Sequence, residues 1–193
     1  MTPALLMLVG AAVTLIALVI VHLRPTGLNP MRDPVSQYGI TAYRAWYWTA
    51  AGGAALAGVG AALFFSTIGT VIAQITVVLL VVFFVARALI GFFPMDEPEG
   101  ERTRTGRIHN LLATAAFASV TAAAFTGAGA LHDGGLAGAS AWSTVLGVVM
   151  AVGAVGLLVG RRVRGIFGIA ERLIYAGFIL WFVMLGVLTL TRA

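Results

Sequence analysis

Long apolar runs alternate with short polar segments along the whole chain, and this alternation predicts the architecture. Six runs have about the length, roughly 20 residues, with which an α-helix crosses about 30 Å of hydrocarbon. They occupy residues 4–23, 43–65, 70–93, 108–130, 141–160 and 170–190. The pattern predicts an all-α protein, an integral membrane bundle of six transmembrane helices that forms a single domain over residues 1–193.

Residues that stop helices mark the ends of several runs. Pro25 follows the first run, Pro94 follows the third, and the pair Gly134 and Gly135 follows the fourth. No basic residue precedes the first run, which therefore lacks the charged start of a cleaved signal peptide. We expect the first run to be a retained transmembrane helix.

The composition excludes a soluble domain. Hydrophobic residues make up 60% of the chain and charged residues only 10%, whereas soluble domains average about 25% charged residues. The chain contains no cysteine, which excludes disulfides, thiolate catalysis and cysteine-ligated zinc. The chemistry of any site must come from histidine, carboxylate, hydroxyl and arginine side chains.

The distribution of the arginines predicts the orientation in the membrane. The chain has no lysine, and eleven of its twelve basic residues lie in or beside the first, third and fifth connections. These are Arg24, Arg32, Arg44, Arg87, Arg102, Arg104, Arg107, Arg161, Arg162, Arg164 and Arg172. Because short arginine-rich loops stay in the cytoplasm, we expect these connections to be cytoplasmic and both termini extracytoplasmic, with the protein in the cell membrane.

The positions of the arginines also explain the net charge of +5. Orientation and attraction to anionic headgroups account for the charge, so we expect membrane lipid as a partner and no nucleic acid. The oligomeric state is left open by the sequence.

The few polar residues that could carry chemistry cluster at the same end of the predicted bundle, which we call the arginine-rich end. The catalytic candidates are His109, Asp96, Ser36 and Glu171, and the ligand-binding candidates are Arg87, Asp33, Tyr38, His22 and Arg172. An arginine within a span is costly unless it reaches the interface or finds a partner. We therefore expect Arg87 either to extend toward the headgroups or to pair internally with Glu171, Asp33 or Asp96.

Five short motifs contain most of these candidates. In order they are His22-Leu23, the segment 33–39 (Asp-Pro-Val-Ser-Gln-Tyr-Gly), Phe93-Pro94-Met95-Asp96, Gly106-Arg107-Ile108-His109 and Glu171-Arg172. The set resembles the domain-of-unknown-function 998 family of small multi-pass membrane proteins, over about residues 4–190. Gln37 and Met95 stand where the family pattern has glutamate and threonine. The resemblance implies a multi-pass fold and these candidate positions, without an established activity.

Three sharper arrangements are possible with these residue types. Ser36, His109 and Asp96 could form a hydrolase triad, and His22 with His109 could be the axial ligands of a b-type haem. A metal site could use the set His22, Asp33, Asp96, His109 and Glu171, although the spacing is not diagnostic. We assign no metal site, and the cofactor is left undetermined.

The leading hypothesis is a protein that binds or processes a lipid or isoprenoid-like amphipathic ligand in a polar pocket at the cytoplasmic leaflet. As an enzyme it would use His109 as a general acid or base. The alternative is a non-catalytic subunit of a membrane complex or a small-molecule transporter. Transporters place polar residues or broken helices near the bilayer midplane. Here the middles of the spans are apolar and contain no proline.

Overall fold

The computed structural model describes residues 2–160 and 165–192, so Arg161, Arg162 and Arg164 lie outside the described residues. It contains the helices α1 (Pro3–His22), α2 (Arg44–Ser66), α3 (Val71–Leu89), α4 (Arg104–Asp133), α5 (Ala137–Gly160) and α6 (Phe167–Leu190). Two short 3₁₀ helices, Val35–Ile40 and Ile90–Phe92, lie in the first connection and after α3. Within the described part of the chain there is no strand.

Six helices of the described chain are long and apolar enough to cross a membrane, which confirms the predicted class. Large aliphatic side chains such as Ile16, Val78 and Leu158 are exposed on the outside of the bundle. The interior contains many small residues together with the aromatic side chains of Phe178 and Trp181. This distribution suits a bundle whose outer surface is solvated by hydrocarbon.

The helices form a ring in the order of the sequence. Each helix packs against the next one, and α6 closes the ring by packing against α1. The last helix also contacts α2 and α4 across the interior, because it carries the bulky buried side chains Phe178, Trp181 and Phe182. The start of α6 and the first connection therefore meet at the arginine-rich end, where Ile169 donates a backbone hydrogen bond of 3.2 Å to the carbonyl of Met31.

Glycines allow α1 and α2 to pack with their backbones in contact. A methyl group added to Gly10 would lie 2.5 Å from both the backbone nitrogen of Ala57 and the carbonyl oxygen of Gly53. The hydroxyl of Thr14 crosses the same contact and donates to the carbonyl of Ala50 at 3.2 Å. Because lipid provides no hydrophobic drive for helix association, such close packing is a main source of affinity between spans.

Several polar side chains within the spans form hydrogen bonds between neighbouring helices. The hydroxyl of Ser143 in α5 accepts a 2.8 Å hydrogen bond from the indole of Trp181 and donates to the carbonyl of Ala124 at 2.7 Å. Thr76 and Thr126 join α3 to α4 through a 2.9 Å bond. These groups hold neighbouring helices together.

The structure differs from the prediction in two connections. Helix α4 begins at Arg104, four residues before the predicted start of the fourth span at residue 108. Its start is fixed by Thr103, whose hydroxyl accepts a 3.0 Å hydrogen bond from the backbone nitrogen of Gly106. The other difference is the 3₁₀ helix Val35–Ile40 in the first connection, which the hydrophobic pattern did not predict.

Candidate functional site

Glu171 attaches the first connection to the start of α6. Its carboxylate is buried, with 3% of the residue exposed, and its Oε2 accepts a 2.7 Å hydrogen bond from the backbone nitrogen of Val35. Gly168 makes this approach possible, because a methyl group there would lie 2.5 Å from the carbonyl oxygen of Pro30. The contact positions Ser36 beside Glu171.

Arg172 and His22 form the second link at this end. Nη1 of Arg172 donates to the carbonyls of Asp33 at 2.9 Å and Gly168 at 3.0 Å, and Nε donates to Nε2 of His22 at 2.9 Å. The other ring nitrogen, Nδ1, lies 2.7 Å from the carbonyl of Leu18. Because a carbonyl only accepts, Nδ1 carries the hydrogen and Nε2 is the acceptor.

Both nitrogens of His22 are therefore engaged within the protein. The ring also packs beside Tyr38, with centroids 4.9 Å apart. An axial haem ligand needs an open ring nitrogen, so the hypothesis of a haem between His22 and His109 is wrong for this arrangement. His22 and Tyr38 instead take part in the packing of the first connection.

Asp33 and Asp96 have local structural roles. Oδ2 of Asp33 accepts from the backbone nitrogen of Asn29 at 2.6 Å and so closes a turn. Asp96 accepts from the hydroxyl of Thr103 at 2.5 Å and from its backbone nitrogen at 3.3 Å. Neither carboxylate accepts from a nitrogen of His109, so the hypothesis of a Ser36, His109 and Asp96 triad is wrong.

His109 is fixed by a backbone carbonyl and is directed into the interior. Only 2% of the residue is exposed, and Nδ1 lies 2.8 Å from the carbonyl oxygen of Phe93. As with His22, the carbonyl requires the hydrogen to be on Nδ1. No described residue forms a hydrogen bond with Nε2 of His109. The described chain therefore leaves one nitrogen of a buried imidazole for another molecule.

A cavity of about 460 Å³ lies against His109, between α4, α5, α6 and the 3₁₀ helix Val35–Ile40. Its lining consists of Ser36, His109, Asn110, Ala113, Thr114, Phe117, Ala118, Ala154, Leu157, Leu158, Phe167 and Glu171. The polar residues come from the first connection, α4 and α6, whereas α5 contributes only the apolar residues Ala154, Leu157 and Leu158. Asn110, Thr114, Ala118 and Leu158 are exposed, so the cavity opens between α4 and α5 on the outer surface of the bundle.

Arg87 is buried beside this cavity but does not line it. Only 1% of the residue is exposed, and its Cζ lies 5.2 Å from the centroid of the Tyr175 ring. No described residue accepts a hydrogen bond from its Nε or Nη2. The predicted extension toward the headgroups is wrong. Nε and Nη2 of Arg87 form no hydrogen bond with Glu171, Asp33 or Asp96 either.

Arg87 lines a different and smaller cleft, of about 290 Å³, between α2 and α3. Trp48, Gly52 and Gly91 form much of the wall of this cleft. Of the nine candidate residues, the structure thus brings Ser36, His109 and Glu171 into one cavity. The other six surround it or lie in the neighbouring connections.

The carboxylates and histidines do not assemble into a metal site. Among the described residues, no group of three or more histidine, cysteine, aspartate or glutamate side chains has the proximity that a metal ion requires. The five residues considered for such a site are instead divided between the turn at Asp33, the cap at Asp96, the contact of His22 with Arg172, and the cavity that His109 and Glu171 line.

Most of the cavity lining was not predicted. Asn110 and Thr114 lie four residues apart on one face of α4, a spacing that was readable from the sequence as a polar stripe. The apolar wall formed by Ala154, Leu157 and Leu158 carries no such signal, because one side of an apolar helix looks like another.

Fold and comparisons together establish the type of protein. Six membrane-length helices arranged in a ring define a multi-pass helical membrane protein. A family model described as "Protein of unknown function (DUF998)" matches residues 8–188, and the chain belongs to this family. No curated protein and no solved structure matches the chain. Membership confirms the resemblance drawn from the motifs and leaves the activity to be argued from the site.

Proposed function

We propose that the protein binds a lipid or isoprenoid-like amphipathic molecule in the cavity between α4, α5 and α6. The observation that carries the proposal is the division of the lining. Ser36, His109, Asn110 and Glu171 supply polar groups from the first connection, α4 and α6, while the wall on α5 consists only of Ala154, Leu157 and Leu158. Such a division matches a molecule with a polar head and an apolar chain.

The dimensions and position of the cavity suit this ligand. Small-molecule sites typically occupy about 300–1,000 Å³, and the cavity measures about 460 Å³. From Asn110 to Ala118 it extends along α4 for about 12 Å at 1.5 Å per residue. Its opening lies between two spans, so a ligand dissolved in the membrane reaches it sideways without crossing water.

The orientation of the bundle belongs to the same proposal. The arginines of the first and third connections lie at the same end of the bundle as Ser36, His109 and Glu171, which contact the ligand head in this proposal. Because arginine-rich loops are retained in the cytoplasm, the ligand head lies at the cytoplasmic leaflet of the cell membrane. Anionic headgroups are then the partners of the exposed arginines, and nucleic acid is not a partner.

Blocking the cavity tests the proposal directly. Ala154→Phe introduces a ring into the apolar wall, whereas Val155→Phe places the same ring at a neighbouring position that is 59% exposed on the outer surface. Protein released from gently solubilised membranes is analysed by native mass spectrometry for a bound lipid-sized mass. The proposal expects that mass in the wild type and in Val155→Phe, and its loss in Ala154→Phe.

Two results would contradict the proposal. The first is a wild-type protein that carries no such mass and takes up no added lipid. The second is equal occupancy in Ala154→Phe and Val155→Phe, which would place the bound lipid outside the cavity. Thermal unfolding in the same detergent shows whether both variants are folded.

A further inference from the structure

We infer that the polar head of the ligand is an uncharged hydroxyl group, which donates a hydrogen bond to Nε2 of His109. This inference rests on the proposed function and adds the chemical class of the ligand. It selects neutral hydroxylated lipids, with a free alcohol next to apolar chains, over lipids that carry a phosphate or a carboxylate.

The state of His109 is determined by its surroundings. Its Nδ1 must carry a hydrogen, because the partner 2.8 Å away is the carbonyl oxygen of Phe93. A second hydrogen would charge a ring that is only 2% exposed, and no described carboxylate accepts from either nitrogen. The imidazole is therefore neutral, and Nε2 presents a lone pair. A group that satisfies Nε2 must be a donor.

Glu171 adds a second acceptor to the same end of the cavity. Its Oε2 already accepts from Val35, and the carboxylate lines the cavity beside Ser36. A carboxylate or fully ionised phosphate head would bring only acceptors to a surface where Nε2 of His109 and Oε2 of Glu171 are themselves acceptors. Ser36 and Asn110 can each donate or accept a hydrogen bond, so each can bind either the oxygen or the hydroxyl hydrogen of an alcohol.

The described residues that line the cavity include no arginine that would hold an anionic head. Arg172 is bonded to His22, Asp33 and Gly168, and Arg87 lies over the ring of Tyr175. Their positive charge nevertheless opposes entry of an ammonium group. A neutral hydroxyl is the donor that meets neither obstacle.

Three synthetic lipids with the same chains test the inference. Dioctanoylglycerol has one free hydroxyl, the dioctanoate of propanediol lacks it, and dioctanoyl phosphatidic acid carries a phosphate in its place. Each is titrated into purified wild-type protein, and occupancy is measured by native mass spectrometry. We expect dioctanoylglycerol to bind at least about tenfold more tightly than either analogue, because leaving a buried acceptor unpaired carries a cost of that order.

Variants attribute the preference to the histidine. His109→Phe keeps a planar ring and removes Nε2, so it should bind dioctanoylglycerol and the propanediol diester with similar affinity. A hydroxyl preference that persists in a folded His109→Phe protein would show that another group accepts the hydrogen bond and would overturn the inference. If this variant does not fold, the comparison of the three lipids on the wild-type protein still tests whether the cavity prefers a hydroxyl group.

The outcomes separate this inference from the proposed function. If the propanediol diester or the phosphatidic acid binds as tightly as dioctanoylglycerol, and Ala154→Phe abolishes that binding, the cavity binds lipid but does not select a hydroxyl. If none of the three lipids binds, or if Ala154→Phe changes nothing, the proposed function fails and the inference fails with it.

Discussion

The side chain of Arg172 joins the last span to the first, since its Nε donates a 2.9 Å hydrogen bond to Nε2 of His22 across a separation of 150 residues. The same guanidinium also holds the first connection through the carbonyl of Asp33. One arginine thus ties α1, α6 and the connection that contains Ser36. The residues that surround the cavity depend on this link for their position.

Removal of the acceptor on His22 should weaken the bundle. His22→Phe preserves the ring that packs on Tyr38 but leaves Nε of Arg172 without its partner. We expect a loss of about 1 kcal/mol in the free energy of unfolding, measured by titration with a denaturing detergent. His132→Phe, at an exposed position in the last turn of α4, is the control. Equal stability of the two variants would contradict a structural role for the link.

Replacement of Glu171 should detach the first connection. Glu171→Leu leaves the backbone nitrogen of Val35 without an acceptor, whereas Glu171→Gln retains an oxygen that can accept from it. In Glu171→Leu we expect faster tryptic cleavage after the exposed Arg32 and a loss of about 1–3 kcal/mol in the free energy of unfolding. The glutamine variant should lose less. A leucine variant with the cleavage rate of the wild type would show that Glu171 does not hold this segment.

Two glycines should respond in opposite ways to the same added methyl group. In Gly10→Ala the methyl would lie within 2.5 Å of backbone atoms of α2, so we expect a loss of about 1–3 kcal/mol in the free energy of unfolding. In Gly52→Ala the methyl would meet no atom within 4 Å, and stability should be unchanged or higher. The free energy of unfolding is measured by denaturation in detergent. An equal loss of stability in both variants would contradict the packing argument.

The predicted orientation can be read from single cysteines, because the natural chain has none. Arg102→Cys lies in the third connection and Asp133→Cys at the opposite end of α4. In intact cells a membrane-impermeant maleimide should label Asp133→Cys and should reach Arg102→Cys only after the membrane is opened. The reverse labelling pattern would show the opposite topology and would place the polar side chains of the cavity at the outer leaflet.

The site candidates show how far the sequence leads. Polar residues are so scarce in this chain that their clustering identified Ser36, His109 and Glu171, which the structure brings into one cavity. The same reasoning selected Asp33 and Asp96, and these carboxylates hold a turn and a helix cap. The sequence shows an acidic residue in either case and does not show which group its carboxylate contacts.

The sequence by itself determined the class, the number of spans and the family, because hydrocarbon requires long apolar helices and their lengths can be counted. Only the tertiary structure decided which polar groups meet. His109 lines the cavity with its Nδ1 held by Phe93 and its Nε2 without a described partner, while Arg172 donates to the corresponding nitrogen of His22. Such partners lie on other helices or connections, so their positions depend on packing, which the periodicity of a single span does not encode.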